Sequence, residues 1–361
     1  MRVLTSRQLT ILTTDQCTAQ CGHCSMNSSP QRRRRLTAEQ ICRYVDQAVE
    51  STEIRLVIFS GGEPLLLGDE LFQSLEHVRS RGLRSRLVTN AYWAMDAKKT
   101  AATVERLFSA GLNELNISID DFHFPYIHPQ KVKAAFAEAR KYPFDAVILV
   151  HCSGPDTVFN ARELDELVGE KLPRMFNERG DAVPLDRSGK KPFLAVSNST
   201  LQGIGRGTGL QLAQLPGQED WPQKARAIGG CPWAVRSPAV APTGHLVACC
   251  GFEVSGNPIL DIGDLETHSL SDLLDRADQD LPLNMIALEG PYELMDRMKE
   301  VQPDLPFRPY YRSFCELCQD MVTNPVLRET LVQIMPLRAP AILSRREGLS
   351  KTAAHGSSRN G

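Results

Sequence analysis

Three thiols lie close together near the start of the chain, as Cys17-x3-Cys21-x2-Cys24. Thiolates at such spacing bind metal, and a closed zinc or four-iron site wants four of them. Three leave one corner of the metal group open for another ligand, unless His23 or a distant residue completes a structural zinc site. A second set is complete: Cys231, Cys249, Cys315 and Cys318 supply four thiolates, enough for one closed four-iron cluster or one structural zinc. A third motif, Ser60-Gly61-Gly62-Glu63-Pro64, pairs glycines that admit close backbone approach with a carboxylate able to take a ligand ammonium group. Three further cysteines stand apart. Cys42 reads as a small core residue, and packing is also the first reading of Cys152, just past the fifth strand, and of Cys250, beside Cys249.

These motifs need elements to hold them. Strand patterns at Leu9–Thr13, Ile54–Phe59, Arg86–Thr89, Glu114–Ile119, Phe144–Val150 and Phe193–Val196 alternate with helical ones. The helices are expected after the capping box Thr37-x-x-Gln40 and over Asp69–Arg81, Ala97–Ala110, Lys131–Arg140 and Arg162–Leu172. Such alternation implies right-handed βαβ units and a parallel sheet with its chemistry at the C-terminal strand ends. Six units are fewer than the eight that close a TIM barrel. The expected fold class is therefore α/β, a partial (β/α)6 TIM-type barrel over 1–200. A Gly- and Pro-rich linker over 201–230 should lead to a small C-terminal α+β auxiliary unit over 231–325, short of apolar periodicity and dependent on its metal. Residues 326–361 read as a helix passing into a disordered basic tail.

With Cys17, Cys21 and Cys24 after the first strand and Gly61-Gly62-Glu63-Pro64 after the second, the sequence resembles the radical S-adenosylmethionine (SAM) superfamily over about residues 8–200. The resemblance implies a [4Fe-4S] cluster on Cys17, Cys21 and Cys24, with SAM chelated at the open iron and cleaved reductively to a 5′-deoxyadenosyl radical. It implies further that Gly61, Gly62, Glu63 and Pro64 hold the methionyl amine, and that Asn90, Ser118 and Asp120 meet the ribose or carboxylate. His23 stands where an aromatic residue near the adenine is common, and Ala91 follows Asn90 where glycine is common. The second cysteine set, with Gly244 before Cys249, resembles the auxiliary-cluster domain called SPASM or, since no cysteine follows Cys318, its one-cluster Twitch form. Two [4Fe-4S] clusters and SAM are the cofactors implied. Gly203-Ile-Gly-Arg206-Gly207 falls where such enzymes often carry a glycine-arginine segment, and a flexible linker is the alternative.

Asp120-Asp121-Phe122-His123, with His128 beyond, leaves the fourth strand at the barrel mouth. Asp120, Asp121 or His123 is the candidate base for the proton lost on oxidation of a substrate radical. Cys250, or Cys152, is the candidate for hydrogen-atom return, and Arg32 to Arg35 read as a solvated charge run, with recognition of an acidic partner segment as the alternative.

Lys plus Arg number 41 against 43 Asp plus Glu, so the net charge of −2 gives no general attraction for nucleic acid. No apolar run reaches the length of a membrane span, and no signal peptide is evident; ten cysteines then point to metal chemistry in the cytoplasm. The function expected is a radical SAM oxidoreductase that modifies a peptide by oxidation or crosslinking, with the auxiliary cluster as electron acceptor. A sugar or aminocyclitol dehydrogenase or an epimerase is the runner-up, and a non-catalytic zinc module the alternative of another class. The expected partners are a flavodoxin- or ferredoxin-like electron donor and, because the first cysteine falls so near the start, a separate peptide-recognition protein.

Overall fold

A computed structural model describes residues 2–154, 156–177, 180–210 and 220–357. The first half is β1 (Gln8–Leu12), α1 (Ala38–Ser51), β2 (Leu56–Ser60), α2 (Asp69–Ser80), β3 (Arg84–Thr89), α3 (Ala97–Ser109), β4 (Glu114–Ser118), α4 (Pro129–Ala139), β5 (Ala146–Ser153), α5 (Ala161–Val168) and β6 (Phe193–Thr200). All five strand pairings from β1 through β6 are parallel. The α/β partial barrel expected from the alternation is thus present, and β1–β6 supply its six strands in sequence order. Local sequence explains the helix starts. Thr37 and Gln40 form the reciprocal capping box of α1, and Asp96 caps α3 by accepting from the Lys99 N–H. The core side chains Leu9, Ile11, Tyr44, Val57, Phe59, Leu87, Leu115 and Leu149 are almost wholly buried, and their apolar area removed from water is the main stabilising term.

The second half is α6 (Trp221–Ile228), β7 (Ala239–Val240), β8 (His245–Val247), β9 (Asp261–Asp264), α7 (Leu270–Gln279), α8 (Leu281–Leu288), α9 (Gly290–Val301), α10 (Phe314–Thr323) and α11 (Pro325–Ser357). It differs from expectation in three respects. First, β7 pairs in parallel with β1, so among the described residues a single sheet of nine strands runs β6-β5-β4-β3-β2-β1-β7-β8-β9. The unit expected as a separate small domain past a linker thus continues the barrel sheet. Secondly, that region has a real apolar core: Leu270, Leu273, Met285, Ile286, Leu294, Met298, Leu317 and Met321 are buried.

Thirdly, the chain past Leu337 is helical and fastened. Leu327, Leu331, Ile334 and Ile342 of α11 are buried, Arg338 pairs with fully buried Glu289, and Arg346 pairs with Asp278 at 2.9 Å. Residues 358–361 of the expected tail lie outside the described residues. The linker, too, is ordered where it is described, as a 3-10 turn over Gly205–Gly209. No helix among the described residues is long and apolar enough to cross a membrane.

Candidate active site

The cluster loop leaves β1 and folds back under the next strand end. Gly62 N–H donates to the Thr14 carbonyl at 2.6 Å and Glu63 N–H to the Gln16 carbonyl at 2.9 Å. The approach is so close that a Cβ on Gly62 would lie 1.9 Å from the Gln16 oxygen, so only glycine fits. Pro64 opens a 3-10 turn over Pro64–Leu67 that Glu63 caps. The Glu63 carboxylate is wholly buried and accepts from Thr89 Oγ1 and Asn90 N–H, both at 2.8 Å, and from Leu65 N–H at 3.2 Å. Burial still pushes it up to about 7.

Asn90 connects this turn to the thiols. Its Nδ2 reaches Cys17 Sγ at 3.6 Å and Thr18 Oγ1 at 3.1 Å. Ala19 N–H also donates to Cys17 Sγ, at 3.4 Å. Cys17, Cys21 and Cys24 lie close enough to repel one another as thiolates, and burial, then Glu63 and its two neighbours, pushes Cys17 up to about 12. Two N–H donors aimed at one sulfur suit a metal-bound thiolate, so the residues present fit a three-thiolate cluster site.

At the end of β4, Ser118 is half-buried and Asp120 buried. Asp120 Oδ1 accepts from Phe122 N–H, His123 N–H and the His123 ring. Burial alone would push His123 down, but the Asp120 hydrogen bond, with the Cys21 sulfur nearby, carries it up to about 10. His23 stacks on Phe122 with centroids 4.7 Å apart and meets His123 edge-on. Its Nδ1 has no partner among the described residues, and burial lowers it to about 4.

Several expected residues have other employment. Asp121 spends both oxygens on the Val158 and Phe159 amides and so anchors that loop instead of standing free as a base. His128 caps α4. Arg32 and Arg34 bind Glu253 at 2.9 and 2.8 Å, and Arg35 pairs with Glu70, so these three form a clasp, not the expected solvated run. Arg206 donates to the carbonyls of Cys21 and Ser28 at 2.9 and 2.7 Å, which ties the glycine-arginine segment onto the cluster loop. Sequence reasoning gave Thr89, which ends the third strand in Thr-Asn, no role of its own, and it missed Glu253, which sits in no motif.

The other thiols also gather. Cys315 and Cys318 are three residues apart on α10, which places them on one helix face. Burial first, then repulsion from Cys249 and Cys231, raises both well above the usual thiol range. A Cβ on Gly251 would lie 3.2 Å from Cys315 Sγ and 3.8 Å from Cys249 Sγ. The donor set is thus four neighbouring thiols, Cys231 and Cys318 buried and Cys249 and Cys315 half-buried, which fits a closed iron-sulfur group. Cys250 is half-buried beside this set with its thiol against the Thr10 hydroxyl, and Cys152 is buried near Asp120 and Ser199. Cys42 lies half-buried on α1.

Residues 11–168 match the model of the Radical SAM superfamily. The curated protein "Putative peptide biosynthesis protein YydG" of Bacillus subtilis (strain 168) is 28% identical over 162 residues, which cover 44% of this chain and 51% of that one. AdoMet-dependent heme synthase of Methanosarcina barkeri is 33% identical over 105 residues, 29% of this chain and 28% of that one. The matched segments thus span about half the length of these curated relatives or less. Among solved structures, Streptococcus suis SuiB bound to precursor peptide SuiA superposes with a TM-score of 0.55 at 14% identity, over 88% of this chain and 76% of that one. Native anSMEcpe with bound AdoMet and the Cp18Cys peptide superposes with a TM-score of 0.53 at 13% identity, over 95% of this chain and 99% of that one.

Proposed function

On the premise that the chain carries a radical SAM domain, we propose that it is a peptide-modifying enzyme that removes hydrogen from a C–H bond by oxidation or crosslinking. The observation that carries this reading is the meeting of Cys17, Cys21 and Cys24 with Asn90 and the Gly62–Glu63 turn at the C-terminal ends of β1, β2 and β3. The peptide substrate is supported by the likeness to YydG of Bacillus subtilis. Cys17, Cys21 and Cys24 would hold one [4Fe-4S] cluster, and Cys231, Cys249, Cys315 and Cys318 a second. When bound, the first with SAM supplies a hydrogen-abstracting radical and the second a sink for one electron. Asn90 and Glu63 orient the site, the Arg206 and Arg32–Arg34 contacts hold the loop closed, and Asp120 Oδ2, which faces His23 at 3.6 Å, is the carboxylate oxygen placed to take the proton.

The position of Cys250 between β1 and the four-thiol site favours a second reading, epimerisation, in which its thiol returns a hydrogen atom. Reductive SAM cleavage tests the shared premise. Cluster-loaded protein with dithionite should form 5′-deoxyadenosine and Cys24→Ala none; loaded wild-type protein that forms none would overturn the assignment.

A further inference from the structure

We propose that Asn90 is a positioning residue of the first metal site, whose side-chain amide donates a hydrogen bond to the Cys17 sulfur and so raises the reduction potential of a cluster on Cys17, Cys21 and Cys24, instead of binding SAM. The proposal rests on the reading of those three cysteines as cluster ligands. Asn90 directly follows β3 and is 5% exposed. Its Oδ1 accepts from Tyr92 N–H at 2.9 Å. That bond fixes which way the amide faces, because the flipped amide would set its NH2 against another N–H. Nδ2 is thereby turned to the cysteine loop, 3.1 Å from Thr18 Oγ1 and 3.6 Å from Cys17 Sγ.

An amide nitrogen carries two hydrogens, one for each of these acceptors, which leaves none for a SAM carboxylate. An amide N–H donates whether the sulfur is a thiol or a thiolate on iron, so the direction of the bond is the same in both states. The backbone N–H of Asn90 has a separate task, donating to Glu63 Oε2 at 2.8 Å. Replacing the side chain therefore leaves the tie to Glu63 in place. Ala19 N–H already donates to the same sulfur at 3.4 Å, so Asn90 makes Cys17 a doubly bonded thiolate. Reduction places an added electron partly on the sulfurs. A donor at one of them stabilises the reduced form more than the oxidised form and so raises the potential, and burial of the amide strengthens the bond.

The test is an anaerobic potentiometric titration without SAM, followed by electron paramagnetic resonance, on cluster-loaded wild type, Asn90→Ala, Asn90→Ser and Asn90→Asp. Asn90→Ala and Asn90→Ser lack the amide N–H and should shift the midpoint of the first cluster to more negative potential, with the second cluster's midpoint and the iron content unchanged. Asn90→Asp keeps the shape and the acceptor for Tyr92 N–H but sets a carboxylate oxygen against the sulfur, so it should shift the midpoint further the same way. A merely structural role predicts the opposite order, with the isosteric Asp variant nearest wild type, and that order overturns the proposal. SAM affinity of loaded Asn90→Ser should stay within about twofold of wild type; an affinity lower by about tenfold or more with an unshifted first midpoint assigns the amide to SAM and overturns it too. Failure of all three variants to take up iron at the first site would make the amide a support of the loop and count equally against it, leaving the three cysteines as ligands. Wild-type protein with no iron at the three cysteines would remove the reading beneath it as well.

Discussion

Glu63→Gln separates two roles for the carboxylate at the end of β2. Of its three donors, Thr89 Oγ1 and Asn90 N–H tie the end of β2 to the end of β3, and Leu65 N–H closes its own turn. A carboxylate offers about four acceptor positions, so one remains for the ammonium group of SAM. Burial lifts Glu63 from its ordinary 4.5 to about 7. At about 1.4 kcal/mol per tenfold change, the ionised form in the unliganded site is about 3 kcal/mol worse off than an exposed carboxylate. The sign follows: the pKa is raised on folding, so its contribution to stability is intact below 4.5 and is lost as pH rises through about 7. An ammonium placed against the carboxylate recovers that cost only when the group is ionised. SAM affinity of cluster-loaded wild type, measured by anaerobic equilibrium binding, should therefore rise about fivefold from about pH 6 to 7 and by less than about twofold from there to about pH 8, where an α-amino group begins to lose its own proton. Glu63→Gln should show no such rise. It should bind about 10- to 100-fold more weakly at about pH 7.5, since a hydrogen bond to a charged group is worth about 1.5 to 3 kcal/mol. A variant that binds SAM as wild type does, with the same pH profile, refutes the ammonium role and leaves Glu63 as a strand tie alone.

The iron count follows from the thiols: reconstitution should load about eight irons, and the triple replacement of Cys17, Cys21 and Cys24 by Ala about four; stoichiometric zinc without iron would contradict this. Arg346→Met leaves Asp278, 1% exposed, without its cation, and should cost about 3 kcal/mol in denaturant titration. Exposed Arg33, which donates only to carbonyls of its own loop, should tolerate Ala within about 0.5 kcal/mol; equal losses would show that α11 is not fastened by that pair. In D2O, a peptide product lighter by about two mass units means oxidation, whereas a gain of about one that vanishes in Cys250→Ala means epimerisation, because thiol hydrogens exchange with solvent.

The difference between what the sequence disclosed and what it hid lies in the range of the interactions. The Thr37–Gln40 capping box, the alternation that becomes β1–β6 and the three thiols in one loop are local, and each could be read within a few residues. The clasp of Arg32 and Arg34 on Glu253 joins positions 221 and 219 residues apart, and a run of arginines looks the same whether its partner is water or a distant carboxylate. The end of the chain was misread for a related reason. Pro336 and Pro340 lie inside α11, and its basic residues suggest a solvated tail until buried Glu289 and Asp278 are found to receive Arg338 and Arg346. The same logic divides the Asp120–His123 segment. Its residue types mark it as chemistry-bearing, but only the fold shows that Asp121 is consumed by the Val158 and Phe159 amides while Asp120 holds the His123 ring. Composition can nominate a base. Which neighbouring carboxylate remains available depends on backbone N–H groups contributed by a loop more than 30 residues on, and those carry no side-chain signature to read.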